Sequence, residues 1–261
     1  MLRTWAQDAA AFALELASLD PSWGSETFEL AGGQVVLCGP GMYVNRAIGI
    51  GMDGPVSDLD LDRLEARSAA VGVPAAIEVT AASDPSLLEL AAARGYVTDR
   101  ETNVLRRTLD DVGHLPELHD TIVIEPANTD LLTVWQATSA LGWGHVDEAA
   151  RRASDVFARV AAAVDGDGLV LATDARDGRP VGCASLTIRN GIATLGGMST
   201  VPAERGRGVQ SALIRYRLRK AHAAGCQIAT TSVSPGGVSE RNLRRHGFEP
   251  WFPITTLVQS G

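Results

Sequence analysis

The sequence predicts an α/β fold with a mixed sheet, built as two similar units in tandem. Strand-like apolar runs alternate with helical i, i+3, i+4, i+7 patterns along the 261 residues, a length that accommodates two domains. Both halves end with a strand, a long helix, a strand, a short helix, a glycine-aromatic pair and a strand. Gly95-Tyr96 in the first half corresponds to Gly247-Phe248 in the second. We interpret this as a degenerate internal duplication, with chance similarity of two α/β units as the alternative.

Composition limits the classes of partner. With 31 acidic against 23 basic residues the net charge is −8, which argues against a nucleic-acid partner. No run reaches the roughly 18 apolar residues of a membrane helix, and the amino-terminal stretch carries acids unlike a secretory signal, so a cytoplasmic protein is predicted. Cys38, Cys183 and Cys226 are widely separated, which favours core packing over disulfides or zinc, and no metal is expected.

A polar stretch with glycine and proline at residues 110–120 is the predicted boundary between the halves. The predicted domains are therefore residues 1–113 and 120–261.

In the first half we predict, in order, a helix over 12–19, strands over 27–30, 34–38 and 44–50, a helix after the N-cap Ser57, a strand over 75–79, a short helix ended by Gly95, and a strand over 104–109. In the second half we predict a strand over 122–125, helices over 130–141 and 147–164, strands over 169–173, 181–188 and 192–199, a helix over 208–224, a strand over 227–233, a helix over 238–246 and a strand over 251–258.

The strongest chemical signal is the glycine-rich loop Arg205-Gly206-Arg207-Gly208, which joins a strand to a helix. Glycines allow close backbone approach, and the first amides of the helix, backed by its dipole, suit a phosphate or pyrophosphate. Arg205 and Arg207 would add cationic donors. Taken alone, this tetrapeptide is better interpreted as an ordinary strand-to-helix turn with exposed arginines.

The order of motifs is more specific. The segment PAERGRGVQSAL after a Met-Ser-Thr strand end, followed by a helix, a strand and SxRNxxRxGF at residues 239–248, resembles the GNAT superfamily of N-acyltransferases. The resemblance covers residues 120–261. Arg205, Gly208 and Gln210 occupy the fixed positions of the family's Q/R-x-x-G-x-G/A signature, where Gln210 departs from the final Gly or Ala.

The resemblance implies an acyl-CoA site. The backbone amides that would hold the pyrophosphate of CoA are those of Arg205, Gly206, Arg207, Gly208, Val209 and Gln210. A bulge at Gly196-Gly197 would splay the preceding strand from its neighbour. The pantetheine arm would pair with Met198, Ser199 and Thr200, and Asn242 would reach its pantetheine or adenosine portion. The Met198 amide is the candidate that polarises the thioester carbonyl.

The acid and the base stay open. Many family members place a tyrosine acid where this chain has Leu243. Ser234 is a substitute candidate for this catalytic role. Glu148, Asp147 and His145, after the first helix of this half, are the candidates for the base, and His145 and Glu148 are also candidate acceptor-binding residues. A solvated loop or, for Asp147, a helix N-cap is the alternative. Trp143 could form a wall of the acceptor pocket, but an aromatic on an amphipathic helix is more often core.

The corresponding loop of the first half is acidic, with Asp53, Asp58, Asp60 and Asp62 around Pro55. These charges would repel a pyrophosphate, and proline removes a donor. The first half is therefore expected to be a degenerate GNAT-like unit without a CoA site, with a structural role such as supporting the acceptor pocket or replacing the second subunit of a dimer.

The predicted function is acetyl-CoA-dependent N-acetylation of a small amine-containing metabolite by direct attack on the thioester. The chain would act as a monomer or homodimer without nucleic-acid or membrane partners. Two alternatives are a non-catalytic acyl-CoA-binding regulatory module and an aminoacyl-tRNA-dependent transferase.

Overall fold

The computed structural model describes residues 1–110, 112, 115, 121–145 and 147–260. The chain divides into two compact units, the first formed by Met1–Asn103 with Phe252–Gly261 and the second by Val104–Trp251. These units differ from the predicted domains at both ends of the second one. Residues 104–113 belong to the second unit, and the carboxyl-terminal ten residues belong to the first. Most of the predicted boundary at 110–120 lies outside the described residues.

The elements of the first unit follow the predicted order. They are α1 (Leu2–Leu19), β1 (Glu26–Leu30), β2 (Gly33–Leu37), β3 (Arg46–Ile48), α2 (Asp58–Ala70), β4 (Ala76–Val79), α3 (Pro85–Ala93) and the start of β5 (Tyr96–Thr108). Strands β1 to β4 adjoin in chain order, and the end of the last strand, β11 (Glu249–Gln259), pairs antiparallel with β4. The sequence predicted that strand, although not its place in the first unit.

Caps fix the helix boundaries in the first unit. Ser57 caps α2 in a capping box with Asp60, as the sequence predicts for this N-cap. Asp84 caps α3 with Pro85 at its first position, and Gly95 follows that helix at φ +75°. Leu61 and Leu64 of α2 and Leu87 of α3 are fully buried in the core of this unit.

The second unit holds β6 (Ile122–Pro126), α4 (Leu132–Trp143), α5 (Glu148–Asp165), β7 (Leu169–Asp174), β8 (Pro180–Arg189), β9 (Ile192–Thr200), α6 (Val209–Ala223), β10 (Ile228–Val233) and α7 (Val238–Arg245). All nine were predicted to within a few residues. Their strands adjoin in the order β10, β9, β8, β7, β6. Strands β6 to β9 are antiparallel neighbours, and β10 runs parallel to β9, so the sheet is mixed as predicted.

Helices cover both faces of this sheet. Leu169 and Leu171 of β7 share a cluster with the fully buried Trp135 of α4. Val170, which points the opposite way along the same strand, packs with Leu213 of α6. Helix α6 thus lies against the face opposite α4 and α5, and β9 runs directly toward its first turn.

The three cysteines are buried. Cys183 and Cys226 belong to apolar clusters, which agrees with the predicted packing role. Among the described residues, no helix has both the length and the apolar character needed to cross a membrane.

Candidate active site

The end of β9 leads through a short 3-10 turn, Pro202–Glu204, into α6. Gly206 and Gly208 adopt φ of +79° and +82°, a region that favours glycine. No side chain caps α6, and the first hydrogen bond of the helix runs from the Ala212 amide to the Gly208 carbonyl, 2.9 Å. The amides of Val209, Gln210 and Ser211 therefore stand at an open helix N-terminus. The Arg205 amide, predicted to hold the pyrophosphate, instead donates to the Pro202 carbonyl, 3.3 Å.

Strand β9 carries the bulge that the sequence predicts. Ser185 of β8 faces Gly196, whereas Cys183 faces Ser199, so a single residue of β8 stands opposite Gly197 and Met198. Gly197 has φ +53°, and a Cβ there would lie 2.9 Å from the Ser185 hydroxyl. Glycine is favoured here because its backbone lies in the left-handed region and because any Cβ would force the Ser185 side chain to move.

Strands β9 and β10 pair over only part of their length. Their ladder covers residues 192–194 and 228–230, although β9 runs on to Thr200 and β10 to Val233. The Val201 amide donates to the Val181 carbonyl of β8. Because donors alternate along an antiparallel strand, the Thr200 amide points away from β8, toward the side where the β9–β10 ladder has ended.

A cleft of about 650 Å³ opens at this point. It is lined by the end of β9, the loop, the first turn of α6, the start of α7 and the end of α4. The lining residues are Gly142, Trp143, Met198, Ser199, Thr200, Glu204, Arg205, Gly206, Gly208, Val209, Gln210, Ser211, Val238, Ser239, Asn242 and Arg245. The volume lies within the usual range of small-molecule sites.

The two loop arginines differ in their surroundings. Arg205 lines the cleft and donates to the Gly142 carbonyl, 3.2 Å. Arg207, predicted as a second phosphate donor, is instead paired with Glu204 and with Asp174, the latter at 2.7 Å. Since its two carboxylate partners are buried, this guanidinium stabilises the base of the loop, and its side chain does not line the cleft.

Arginine contacts also set the pKa values of both carboxylates. Hydrogen bonds from Arg176 and then Arg207 hold the pKa of Asp174 well below its usual range. Burial raises the pKa of Glu204, but hydrogen bonds from Arg179 and Arg207 together outweigh burial and lower it. Glu204 is thus a carboxylate neutralised by arginines, and its lowered pKa makes it a weak proton acceptor.

Gln210 has a defined partner. Asn242 of α7 donates to its side-chain oxygen, and Arg245 donates to the Asn242 oxygen, 2.9 Å. Gln210, which departs from the family signature, therefore links α6 to α7 through Asn242. The hydrogen bond from Arg245 to Asn242 holds this exposed cation beside the same pair of residues.

The end of α4 forms the opposite wall. Gly142 lies so close to β9 that a Cβ there would be 2.4 Å from the Ser199 hydroxyl oxygen. Trp143 follows with 57% of its surface exposed, so it is a wall residue rather than core.

Other predicted residues lie elsewhere. Ser234 is exposed after β10 and does not line the cleft, and Glu148 is exposed in the first turn of α5. Leu243, at the tyrosine position of the family, is 1% exposed in an apolar cluster. His145 borders a second cavity of about 660 Å³ between α4 and α5, together with Arg151 and Asp155. The described residues contain no cluster of His, Cys, Asp or Glu suited to a metal.

Several lining residues were not predicted from the sequence. A glycine inside a helix, as at Gly142, is a signal of close packing that could have identified one of them. Arg245 lies within the motif at residues 239–248, but the motif does not single it out. Ser239 is the first fixed position of the same motif, which likewise assigns it no role. Val238 carries no distinctive signal, because only the position of α7 brings it to the cleft.

The cleft suits an extended anionic ligand. Its floor is an open helix N-terminus with glycines, and a Cβ added at Gly206 would meet no atom within 4 Å. Arg205 and Arg245 provide cations at its rim. The β9 edge beyond the ladder provides backbone donors and acceptors for an extended chain.

Comparisons with known proteins agree with this geometry. Residues 132–248 match the model of the Acetyltransferase (GNAT) family. A GCN5-related N-acetyltransferase from Kribbella flavida superposes with a TM-score of 0.68 at 18% identity, covering 98% of this chain and 95% of that chain. A tandem GNAT protein from the clavulanic acid biosynthesis pathway gives 0.63 at 16% identity, covering 100% and 95%. A GNAT-family acetyltransferase from Colwellia psychrerythraea gives 0.57 at 13%, covering 95% and 97%. No curated protein sequence matches.

Residues 132–248, which include every residue that lines the cleft, thus match the GNAT acetyltransferase family. The whole chain shares its fold with a tandem GNAT protein, which confirms the resemblance and the predicted fold class. Acyl transfer is the general activity that the family match supports.

Proposed function

We propose that the protein is an acetyl-CoA-dependent N-acetyltransferase acting on a small amine-containing metabolite, with a single acyl-CoA site per chain. The observation that carries the proposal is the uncapped N-terminus of α6 beside the end of the β9–β10 ladder. A helix N-terminus favours pyrophosphate, and a free strand edge favours the amide groups of pantetheine. Both features lie in the same cleft.

In this proposal each wall of the cleft has a separate task. The amides at the start of α6, with Arg205 and Arg245, bind the phosphates. Backbone groups of Met198 and Thr200 align the pantetheine arm, whereas those of Ser199, which was predicted to take part, face Cys183 of β8. The neutral acceptor amine attacks the carbonyl carbon of the bound thioester directly. A C–N bond replaces the C–S bond, CoA leaves as the thiolate, and the proton lost by the amine passes to that thiolate or to solvent.

The Met198 amide donates to the thioester carbonyl and favours charge that develops on its oxygen. Two residues after Met198, the Thr200 amide points toward the open side of β9, and the same alternation directs the Met198 amide that way. The bulge at Gly197 is the reason that a donor faces the cleft at this place.

A second candidate is a module that binds acyl-CoA without transferring the acyl group. It is favoured by the burial of Leu243 in the core, where many family members have a tyrosine acid, and by the position of Ser234 outside the cleft. The predicted cytoplasmic location stays a prediction.

Calorimetric titration with acetyl-CoA and with CoA tests the proposal, followed by assays of thiol release with a panel of amines. We expect micromolar binding of both ligands at one site per chain, and thiol release with at least one small amine. Binding without release across the panel would favour the non-catalytic module. Absence of binding would overturn both candidates.

A further inference from the structure

Arg217 of α6 is a buried arginine directly behind the bulge of β9. Only 1% of its surface is exposed, and among the described residues it forms no ion pair. Burying a charge without an opposite charge is costly, so the position demands a reason. Helices of this kind normally place an aliphatic side chain at such a position.

Its guanidinium satisfies both strands at the bulge. Nη1 donates to the Ser185 carbonyl at 2.9 Å and to the Gly196 carbonyl at 3.1 Å. Nη2 lies 3.0 Å from the Met198 sulfur, and Nε donates to the Leu213 carbonyl at 3.1 Å. Ser185 and Gly196 are the last facing pair before the register shifts.

A bulge interrupts the ladder and leaves local backbone groups to be satisfied by other donors. The planar fork of arginine reaches two carbonyls and the sulfur at once, which lysine cannot do. Burial lowers the pKa of Arg217 to about 9, so its surroundings oppose its charge. The carbonyl contacts are the compensation that the structure provides.

We infer that Arg217 is a positioning residue that holds the β9 bulge in register and thereby keeps the Met198 amide facing the cleft. The effect of Arg217 on the bulge depends only on the contacts described above, whereas its effect on catalysis rests on the proposed function. Its side chain is buried and does not line the cleft, so it should govern turnover rather than ligand affinity.

Arg215 offers a matched control. It lies on the same helix, is 6% exposed, and its Nε has no hydrogen-bond partner in the described structure. Arg215 lowers the pKa of His246 and so lies near the end of α7. Arg215→Met removes a buried arginine from α6 without touching the bulge.

The experiment compares Arg217→Met, Arg217→Lys and Arg215→Met with the wild type. Amide hydrogen exchange of residues 196–200 is measured in the free protein, CoA affinity by calorimetry, and acetyl transfer by thiol release. For Arg217→Met we expect at least tenfold faster exchange at the Ser199 amide, which faces Cys183 of β8 directly after the bulge. We also expect kcat about 10- to 100-fold lower and a CoA Kd within about threefold.

Arg217→Lys keeps the charge and should recover part of kcat and of the protection, which also provides a folded variant if Arg217→Met does not fold. Arg215→Met should change neither quantity. Equal exchange at the bulge in all variants, or the same loss of kcat in Arg215→Met, would overturn the inference. If the wild type binds no acyl-CoA, the proposed function fails, but the exchange data still decide the role of Arg217 at the bulge.

Discussion

The starts of α2 and α6 follow strands of the two units and differ in every feature that matters to an anion. At α2, Ser57 and Asp60 occupy the helix N-terminus as reciprocal caps. At α6, Gly208 provides no cap. The two helices thus share a place in the predicted repeat, but only one offers its amides and its dipole to a ligand.

The loops before these helices differ in the same way. In the first unit the Gly51 amide donates to the Ala31 carbonyl and the Val56 amide to the Ser86 hydroxyl. Asp53 adds negative charge and pairs with Arg3 at 2.6 Å. In the second unit Arg205 stands at the cleft and Arg207 neutralises carboxylates beneath it. The comparison teaches that two strand ends with glycines can differ in what they offer an anion, because only the second leaves amides of its helix uncapped and has its carboxylates neutralised by arginines.

The largest effect is expected from giving α6 the carboxylate that α2 has. Gly208→Asp places an acid at the N-terminus of α6, where it competes for the amides and repels phosphate. We expect CoA affinity to fall about 100-fold. Gly225→Asp is the matched control, because Gly225 has φ +78°, follows the other end of the same helix, and has no neighbour within 4 Å of an added Cβ. Titration calorimetry measures both, and similar affinities in the two variants would contradict the proposed phosphate site.

The next largest difference is expected between the two loop arginines, Arg205 and Arg207, in their contribution to CoA affinity. Arg205→Gln removes a cation from the cleft, and we expect about tenfold weaker CoA binding with a shallower salt dependence. Arg207→Gln removes a cation that is already paired with Asp174 and Glu204, so affinity should change by about twofold or less. The reverse ranking, measured at two salt concentrations, would mean that Arg207 leaves its carboxylates to bind phosphate.

The cap of α2 should matter for stability and not for binding. Ser57→Ala removes the side-chain acceptor of the Asp60 amide. We expect a loss of about 1 kcal/mol in the free energy of unfolding. CoA affinity should be unchanged. Urea unfolding and calorimetry provide the two readouts, and weaker CoA binding in this variant would show that the first unit contributes to the site.

The smallest effect that we expect is on the pH dependence of stability. It concerns Arg94 and His246, the residues that precede the corresponding glycines Gly95 and Gly247 of the two units. Arg94 pairs with Asp58, Asp62 and Glu65. Burial, and then the charges of Arg215 and Arg107, lower the pKa of His246 below 6.5. The unfolded chain therefore binds this proton first, and stability should fall as the pH drops from about 6.5 toward the folded pKa.

His246→Gln should remove this part of the pH dependence, whereas His222→Gln, at an exposed position on α6, should leave it unchanged. Urea midpoints between pH 5 and 8 provide the measurement. An unaltered slope in His246→Gln would assign the pH dependence to other groups.

Local signals predicted most elements. The capping box at Ser57, the terminating Gly95 and the apolar periodicity of α6 each depend on residues close together in the chain, so short-range physics defines them. The bulge was also predictable, because consecutive glycines at 196 and 197 inside a strand are typical of a bulge. The glycine-rich loop belongs to the same group.

The side-chain partners were not predictable in this way. Arg207 looked like a phosphate ligand because it lies in the loop, but Asp174, 33 residues earlier in the chain, binds it. Arg217 lies at a position of α6 where the helical period predicts an apolar side chain, four residues after Leu213. The period shows that this arginine is out of place, but it does not identify the carbonyl groups that it binds.

The sequence by itself determined the α/β class, the order of elements, and the contrast between an acidic and a glycine-rich strand–helix loop. Each of these depends on neighbouring residues and on the helix or strand period. Only the tertiary structure decided that residues 252–261 join the first unit, that Arg207 is neutralised, and that Arg217 supports the bulge. Those outcomes depend on contacts between residues far apart in the chain, whose partners are chosen by packing and by the cost of leaving buried charges and carbonyls unsatisfied.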